Sequence, residues 1–316
     1  MKLFALLISF TFLFFSCNSN NNRSFEKKKP ESDWSLLKLK ANVKVLTEIS
    51  HFESGKSQPG KKGSFIEHTK CVFNNNGYIT EKYRYNAAGN VLIKTINTYD
   101  TNGNLTKKVR YSSIDSLLTK TIFSYDNKGN NIEENEYNSD GSLWQRRIFK
   151  YNDQGNLIER YRYDLYGSLL AKKTIFKYDE KGNKTEETRY NEDKSLLASH
   201  TYKYDKKGNV IENAEYCSNE INGKFNQLTY KSVYDNKSNK ITEKKYDSED
   251  ILLSTSIYKY NEKDDLVGFK KFKPDGKIII EWTQALEYDK KNNFIKLTRY
   301  EDSVAKFMIE REIEYY

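Results

Sequence analysis

From about residue 50 to its end the chain repeats one short stretch, and that recurrence constrains the fold more than any other feature. Tyr125-Asp126-Asn127-Lys128-Gly129-Asn130 is a clear copy, and Tyr99 to Asn104, Tyr151 to Asn156, Tyr178 to Asn183 and Tyr204 to Asn209 follow the same pattern. The opening aromatics alternate in spacing: Tyr99 lies 14 residues after Tyr85, Tyr111 lies 12 after Tyr99, and Tyr125 lies 14 after Tyr111. The unit is therefore a pair of arms, 26 residues long. A fixed period of this size marks a repeat array in which each unit stacks on its neighbours.

Each copy reads as a turn. Asp or Asn after the aromatic can accept a hydrogen bond from the backbone two residues on. The Gly four residues after the aromatic supplies a positive φ, as in a turn closed by a Gly bulge. Between turns the chain alternates with period two and is rich in Tyr, Phe, Thr and Ile, which is a strand signal. Leu117 to Tyr125 puts Leu117, Thr119, Thr121, Phe123 and Tyr125 on one face. The shorter arm from Leu157 to Tyr163 puts Glu159, Tyr161 and Tyr163 on one face and Arg160 and Arg162 on the other. The fold class is therefore all-β: tandem antiparallel hairpins forming one long twisted, coiled meander sheet of about 20 strands. The face that curls inward is expected to be the Tyr/Phe/Leu face, with Lys, Arg and Glu turned to water. Irregular steps from Phe52 to Phe73, Tyr216 to Tyr234 and Phe272 to Tyr288 all follow short arms, so they read as insertions on one edge of the sheet.

The start of the chain is of another kind. Met1-Lys2 is basic, Leu3 to Phe15 is apolar and too short to span a bilayer, and Ser16-Cys17 follows at once. Asn18 to Asp33 is polar without apolar periodicity and reads as a flexible tether. The stretch from Leu37 to Ile49 alternates and is expected to supply the first strands and an N-terminal cap.

The net charge of +9 comes from 53 basic and 44 acidic residues, interleaved along the strands. That is a solvated surface rather than a nucleic-acid patch, so no nucleic-acid partner is expected. Cys71 and Cys217 sit eleven strands apart in the meander, too far for a disulfide, and are read as unpaired small core residues. His51, His68 and His200 have no metal-ligand spacing, and the turns lack the alternating oxygen ligands of a calcium loop. No metal or cofactor is expected. Glu133-Glu134 and Glu186-Glu187 are adjacent on strands and point to opposite faces, so paired acid–base chemistry is not expected of them.

Two resemblances follow from these residues. Leu13-Phe14-Phe15-Ser16-Cys17 resembles the lipobox of bacterial lipoproteins. This implies a signal peptide over residues 1–16, lipidation at Cys17, a lipidated tether over 17–35 and a repeat domain over 36–316. It also implies export to the bacterial outer membrane or cell surface, held to the membrane by the lipid. The tandem aromatic-Asp-x-x-Gly-Asn turns, from about residue 70 to 300, resemble the YD repeats of the Rhs family. More closely they resemble short YD-like repeat lipoproteins of Bacteroidota-type bacteria, which share a stretch like Leu37 to Glu48. In the Rhs family such repeats form a long coiled sheet that can enclose a secreted toxin.

The functional expectation is a non-enzymatic envelope lipoprotein whose array serves as a binding or scaffold surface. The alternatives are a carbohydrate-binding accessory protein using exposed Tyr or Trp, and an Rhs-like shell or partner of a secreted toxin. The candidate binding face is Tyr125, Phe149, Tyr151, Tyr161, Tyr163, Tyr178, Tyr202 and Tyr204, all expected on one side of the sheet. The competing reading is that these rings are cross-strand ladders that hold the sheet together.

Overall fold

The computed structural model describes residues 30–52, 64–164, 170–218 and 225–316. The expected signal peptide, Cys17 and the expected tether up to residue 29 lie outside the described residues, as do residues 53–63, 165–169 and 219–224. A short helix, α1 (Asp33–Leu36), comes first. Twenty strands follow: β1 (Val43–Phe52), β2 (Ser64–Phe73), β3 (Ile79–Tyr85), β4 (Val91–Tyr99), β5 (Leu105–Ser112), β6 (Leu117–Tyr125), β7 (Asn131–Asn138), β8 (Leu143–Tyr151), β9 (Leu157–Tyr163) and β10 (Leu170–Tyr178). The second half holds β11 (Lys184–Asn191), β12 (Leu196–Tyr204), β13 (Val210–Ser218), β14 (Phe225–Tyr234), β15 (Lys240–Tyr246), β16 (Leu252–Tyr260), β17 (Leu266–Phe272), β18 (Ile278–Tyr288), β19 (Phe294–Glu301) and β20 (Val304–Tyr315).

Consecutive strands pair antiparallel in one sheet, as the repeat implies. The sheet then closes on itself. Strand β1 pairs with β2 on one side and with β20 on the other, where Leu46 faces Ile313 and Glu48 faces Arg311. The coil thus completes its revolution and becomes a barrel, which leaves no unpaired sheet edge. At ~4.8 Å per strand its circumference is about 96 Å and its width about 30 Å. Eight strands suffice to fill a barrel with side chains, so twenty leave a lumen.

The turns are built as the sequence indicates. In the copy after Tyr125, Gly129 N donates to Asp126 O (3.1 Å) and Asp126 N to Asn130 O (3.0 Å). Asp126 Oδ1 accepts from Lys128 N (2.9 Å) and Asn130 N (2.8 Å), and Asn130 Nδ2 donates to Asp126 Oδ2 (2.8 Å). Gly129 has φ +85°. Copies that have lost the Gly keep the conformation: Ser238, Asp264 and Asn292 have φ of 69°, 63° and 63°.

Each such turn carries one extra residue. Lys150 faces Glu159, but the next residue, Tyr151, faces Leu157, so Ile158 is bulged out of the ladder. A single-residue bulge flips the alternation between a long arm and the short arm after it.

The barrel has two rims. Turns after long arms, α1 and the C-terminal Tyr316 gather at one; the described turns after short arms, the end of β1 and the start of β2 lie at the other. The longer step between Phe272 and Tyr288 is not an insertion. The turn Lys273–Lys277 is regular, and the added residues lengthen β18 to 11 residues, with Ile278, Ile279 and Ile280 exposed.

Residues 30–35, read as the end of the tether, are docked. Tyr78 Oη donates to Pro30 O (2.9 Å), and Asp33 Oδ2 accepts from Ile79 N (2.6 Å). Nor do residues 37–42 form a strand: Lys38 and Ala41 take φ of 54° and 61°, turning the chain across the rim, where Lys40 exchanges hydrogen bonds with Asn293. Trp34 packs on Phe73, 6.3 Å between ring centroids, and donates Nε1–H to Val43 O (2.8 Å). Leu39, Val43, Leu46, Cys71 and Phe73 form the dry core beneath it, flanked by Ile79, Ile313 and Tyr315. Gly77 permits this approach, because a Cβ there would meet the Trp34 ring at 2.5 Å.

Candidate functional site

The two faces of the wall differ. Directly opposed residues in an antiparallel ladder share a face, so the pairings carry face identity around the barrel. One face holds Phe123, Glu134 and Arg147 in one row and Phe176, Glu187, His200 and Glu215 in another. Away from the seam, Thr121, Gln145, Thr174, Phe176, Glu187, Ala198, Ser232, Ser254, Ser256 and Leu297 are buried on this face. Val109 and Thr188 are buried on the other. Side chains converge on the concave side of a curved sheet, so the first face lines the lumen.

This corrects the expected distribution. The long arms do turn Thr, Phe and Tyr inward and Lys outward. The bulge reverses the short arms, which send Arg160, Arg162, Glu134 and Glu187 inward and their tyrosines outward. Tyr161 faces Ile148 and Lys173, and Tyr163 faces Arg146, so both lie on the outer surface. Of the candidate residues, Tyr125, Phe149, Tyr151, Tyr178, Tyr202 and Tyr204 share the inner wall; Tyr161 and Tyr163 do not. Outside, Tyr161 donates to Glu159 (2.6 Å) with Lys150 and Lys173 over its ring at 5.1 and 5.3 Å. Hydrogen bonds from Lys173 and Tyr161 hold the Glu159 carboxyl down at about 2.

The long-arm tyrosines are latches. Tyr125, Tyr151, Tyr178 and Tyr204 donate their hydroxyls to the carbonyls of Leu105, Asn131, Leu157 and Lys184, the first residues of the preceding short arms, at 2.9, 2.8, 2.7 and 2.6 Å. Burial pushes the Tyr125 and Tyr151 hydroxyls up to about 12. Turn lysines reach the other way: Lys207 Nζ donates to Asn236 O (2.8 Å) and Lys237 Nζ to Asp264 Oδ1 (2.9 Å). Successive turns of this rim are thus stitched in both directions, and these tyrosines serve the scaffold.

Deeper on the inner wall, acid and base are paired across the ladder. Glu134 binds Arg147 at 2.7 Å. Burial works to raise the Glu187 carboxyl, but hydrogen bonds from Lys184 and Arg189 prevail and hold it at about 2. Where β16 to β20 meet, a stacked ladder crosses the wall. Phe269 lies 5.3 Å from Tyr258 and 5.6 Å from Trp282, and the Arg299 guanidinium sits 4.1 Å over Trp282 and 5.6 Å over Phe307. Both faces of Trp282 are therefore covered. On the opposite face of the wall a cleft of about 480 Å³ is lined by Glu281, Thr283, Tyr300, Asp302 and Ser303, with Trp282 among its lining residues. Trp144 stands on the outer surface, 41 % exposed. The ladder was hidden in the sequence, because its members come from five arms whose phases depend on bulges.

Among the described residues neither face offers a lipid-facing apolar belt. Outward positions on β4, β5, β6, β8, β10, β12 and β14 include Lys94, Lys107, Lys120, Arg146, Lys173, Lys203 and Lys231, and a cationic side chain at mid-bilayer on a barrel costs about 2–4 kcal/mol. No described helix is long and apolar enough to cross a membrane. Among the described residues no group of His, Cys, Asp and Glu is arranged to hold a metal. Both Cys71 and Cys217 are free; Cys71 is buried in the seam, its thiol pushed up to about 11, whereas Cys217 is exposed and not a core residue.

No protein-family model matches the chain, and no curated protein is significantly similar to it. Among solved structures, a TcdB2–TccC3–Cdc42 complex is similar over 81 % of this chain, at 11 % identity and a TM-score of 0.35. The chain spans 18 % of that protein's length. A porin-like protein from Bacteroides uniformis is similar over 87 % of this chain and 98 % of its own, at 10 % identity and a TM-score of 0.34. One from Bacteroides vulgatus covers the same shares at 13 % identity and a TM-score of 0.33.

Proposed function

We propose that this chain is a non-enzymatic cell-envelope lipoprotein, anchored through Cys17, whose barrel binds a partner on its inner wall. The observation that carries this reading is a closed wall whose concave side presents aromatic rings and charged groups to a wet lumen. Anchoring rests on the apolar stretch that ends at Ser16-Cys17, and Cys17→Ser should release the protein from membranes. Unchanged membrane partition of that variant would exclude the anchor. The binding surface is tested by placing a photo-crosslinking phenylalanine analogue at Phe149 or Tyr202, inside, and at Tyr161 or Tyr163, outside, in living cells. Adducts are expected from the inner positions. Adducts from the outer positions alone, or from none, would overturn the inner-wall assignment.

Carbohydrate recognition by exposed aromatic faces has less support. Trp282 is packed between Phe269 and Arg299, and the outer Tyr161 ring is covered by Lys150 and Lys173.

A further inference from the structure

The residue just before the short-arm aromatic always points inward, next to the short-arm rim. In order around the barrel these residues are Arg84, Arg110, Glu136, Arg162, Arg189, Glu215, Lys245, Lys271 and Arg299. Seven of the nine are basic. Their face is set by the ladder: Arg110 lies between Thr95 and Thr119, Lys245 between Tyr230 and Ser254, and Lys271 between Ser256 and Ile280. They recur at every second strand, ~10 Å apart along the wall.

Deeper on the wall Glu134 and Glu187 are ion-paired, while among the described residues Lys82, Lys108 and Arg160 have no carboxylate within 4 Å; four of the seven collar cations likewise have none. Arg84 has Glu67 at 3.5 Å and Arg189 has Glu187 at 2.7 Å. Among the described residues, Arg110, Arg162, Lys245 and Lys271 form no ion pair within 4 Å with a carboxylate. Seven cations against two carboxylates leave the collar net positive, which raises the local concentration of anions at the mouth.

We infer that this collar binds an acidic polysaccharide, a polyhydroxylated chain carrying carboxylates such as uronates. The inference rests on the inner-wall reading above and names its ligand class. Guanidinium groups meet carboxylates bidentately. Thr95 and Thr119, half-buried on either side of Arg110, supply hydroxyl partners that a sugar requires. A polypeptide fits less well: the closed barrel has no free strand edge to extend, and this polar wall is no groove for an amphipathic helix.

The test uses the full chain in detergent, with polygalacturonate as probe and dextran and poly-glutamate as comparisons, by affinity electrophoresis and titration at several salt concentrations. Three charges are removed from the collar in Arg110→Gln/Arg162→Gln/Lys271→Gln. A control removes three from the outer surface in Lys107→Gln/Lys120→Gln/Lys244→Gln. Both variants are first checked for an unchanged circular dichroism spectrum and melting. Polygalacturonate should bind the parent and the outer variant alike, weakening at least about tenfold in the collar variant with a shallower salt dependence. Dextran should not bind. Equal loss in both variants would show a mere net-charge effect. Equal binding of poly-glutamate would show that an acidic polypeptide serves as well, and no polygalacturonate binding would remove the ligand class. Any of these results overturns the inference. Inner-wall crosslinks at Phe149 or Tyr202 would then still support the wider binding reading, so the two failures are distinguishable.

Discussion

Closure of the barrel puts a decisive interaction at the seam. Arg311 of β20 donates Nε–H to Glu48 of β1 at 2.8 Å, and its guanidinium lies 3.6 Å from the Phe294 ring. The Arg311 side chain is 11 % exposed and that of Glu48 29 %. Removing one partner of a buried pair costs about 3–5 kcal/mol, because the other charge is left uncompensated. Water reaches Glu48 in part, so about 2–3 kcal/mol is expected for Arg311→Met or Glu48→Gln alone. Replacing both removes the orphaned charge as well as the pair. The double variant should therefore cost little more than either single one, a coupling energy of about 1–3 kcal/mol. Urea unfolding at pH 7 of the four proteins measures it. In an open coil these residues would stand at opposite ends of the sheet, nineteen strand steps apart, and their effects would add to within about 0.5 kcal/mol. Additivity would refute closure.

Three further outcomes follow from the turns and the inner wall. Gly155 has φ +77°, so Gly155→Val should cost about 1–3 kcal/mol, whereas Lys181→Val in an exposed turn should cost under about 0.5 kcal/mol; equal shifts of the urea midpoint would contradict the turn geometry. Ser238 holds φ 69° where other copies have Gly, so Ser238→Gly should raise stability by about 0.5–1 kcal/mol, and a loss would show that the strained position is compensated elsewhere. The Glu187 carboxyl is depressed from 4.5 to about 2, so its contribution is complete above its ordinary value and is lost as pH falls toward 2. Melting temperature should therefore drop more between pH 5 and pH 2.5 in the parent than in Glu187→Gln, and parallel drops would exclude this carboxylate as a source of acid sensitivity.

The fold was legible because its causes are local. Asp126 capping the amides of Lys128 and Asn130, and Gly129 at positive φ, need only six consecutive residues, and the 26-residue period repeats them around the sheet. Closure was less legible. Whether twenty twisted strands meet or pass each other depends on small increments of twist, and the pairing of Glu48 with Arg311 spans 263 residues with no repeat signature of its own. The docking of residues 30–35 was masked by composition. Pro30 engages through a backbone carbonyl, and Asp33 through a hydrogen bond to the Ile79 amide.

The inner wall shows how one residue per turn decides what a site contains. The alternation of each arm was readable, and Tyr161 with Tyr163 on one side of its strand and Arg160 with Arg162 on the other is what the ladder shows. What alternation does not carry across a turn is phase. Ile158, bulged between Leu157 and Glu159, drops out of the ladder and so places Arg160, not Glu159, opposite Phe149. Were Ile158 paired in the ladder rather than bulged, Glu159, Tyr161 and Tyr163 would share the inner face with Phe149, and Arg160 and Arg162 would face outward. With the bulge, each pair of strands presents an aromatic from the long arm beside a charge from the short arm on the concave side, and the convex side receives the reverse. The same bulge therefore keeps both faces wet, leaves no apolar belt for lipid, and brings the basic residue before each short-arm aromatic to the mouth of the barrel. A deletion of Ile158 should remove the bulge and leave Arg160 and Arg162 inward, because Lys150 already faces Glu159 and Tyr151 already faces Leu157. Cysteine accessibility at position 162, probed with a bulky charged thiol reagent in a variant lacking Cys71 and Cys217, should therefore be unchanged by that deletion. Increased labelling would show that the strand had shifted its register, and would refute the bulge assignment.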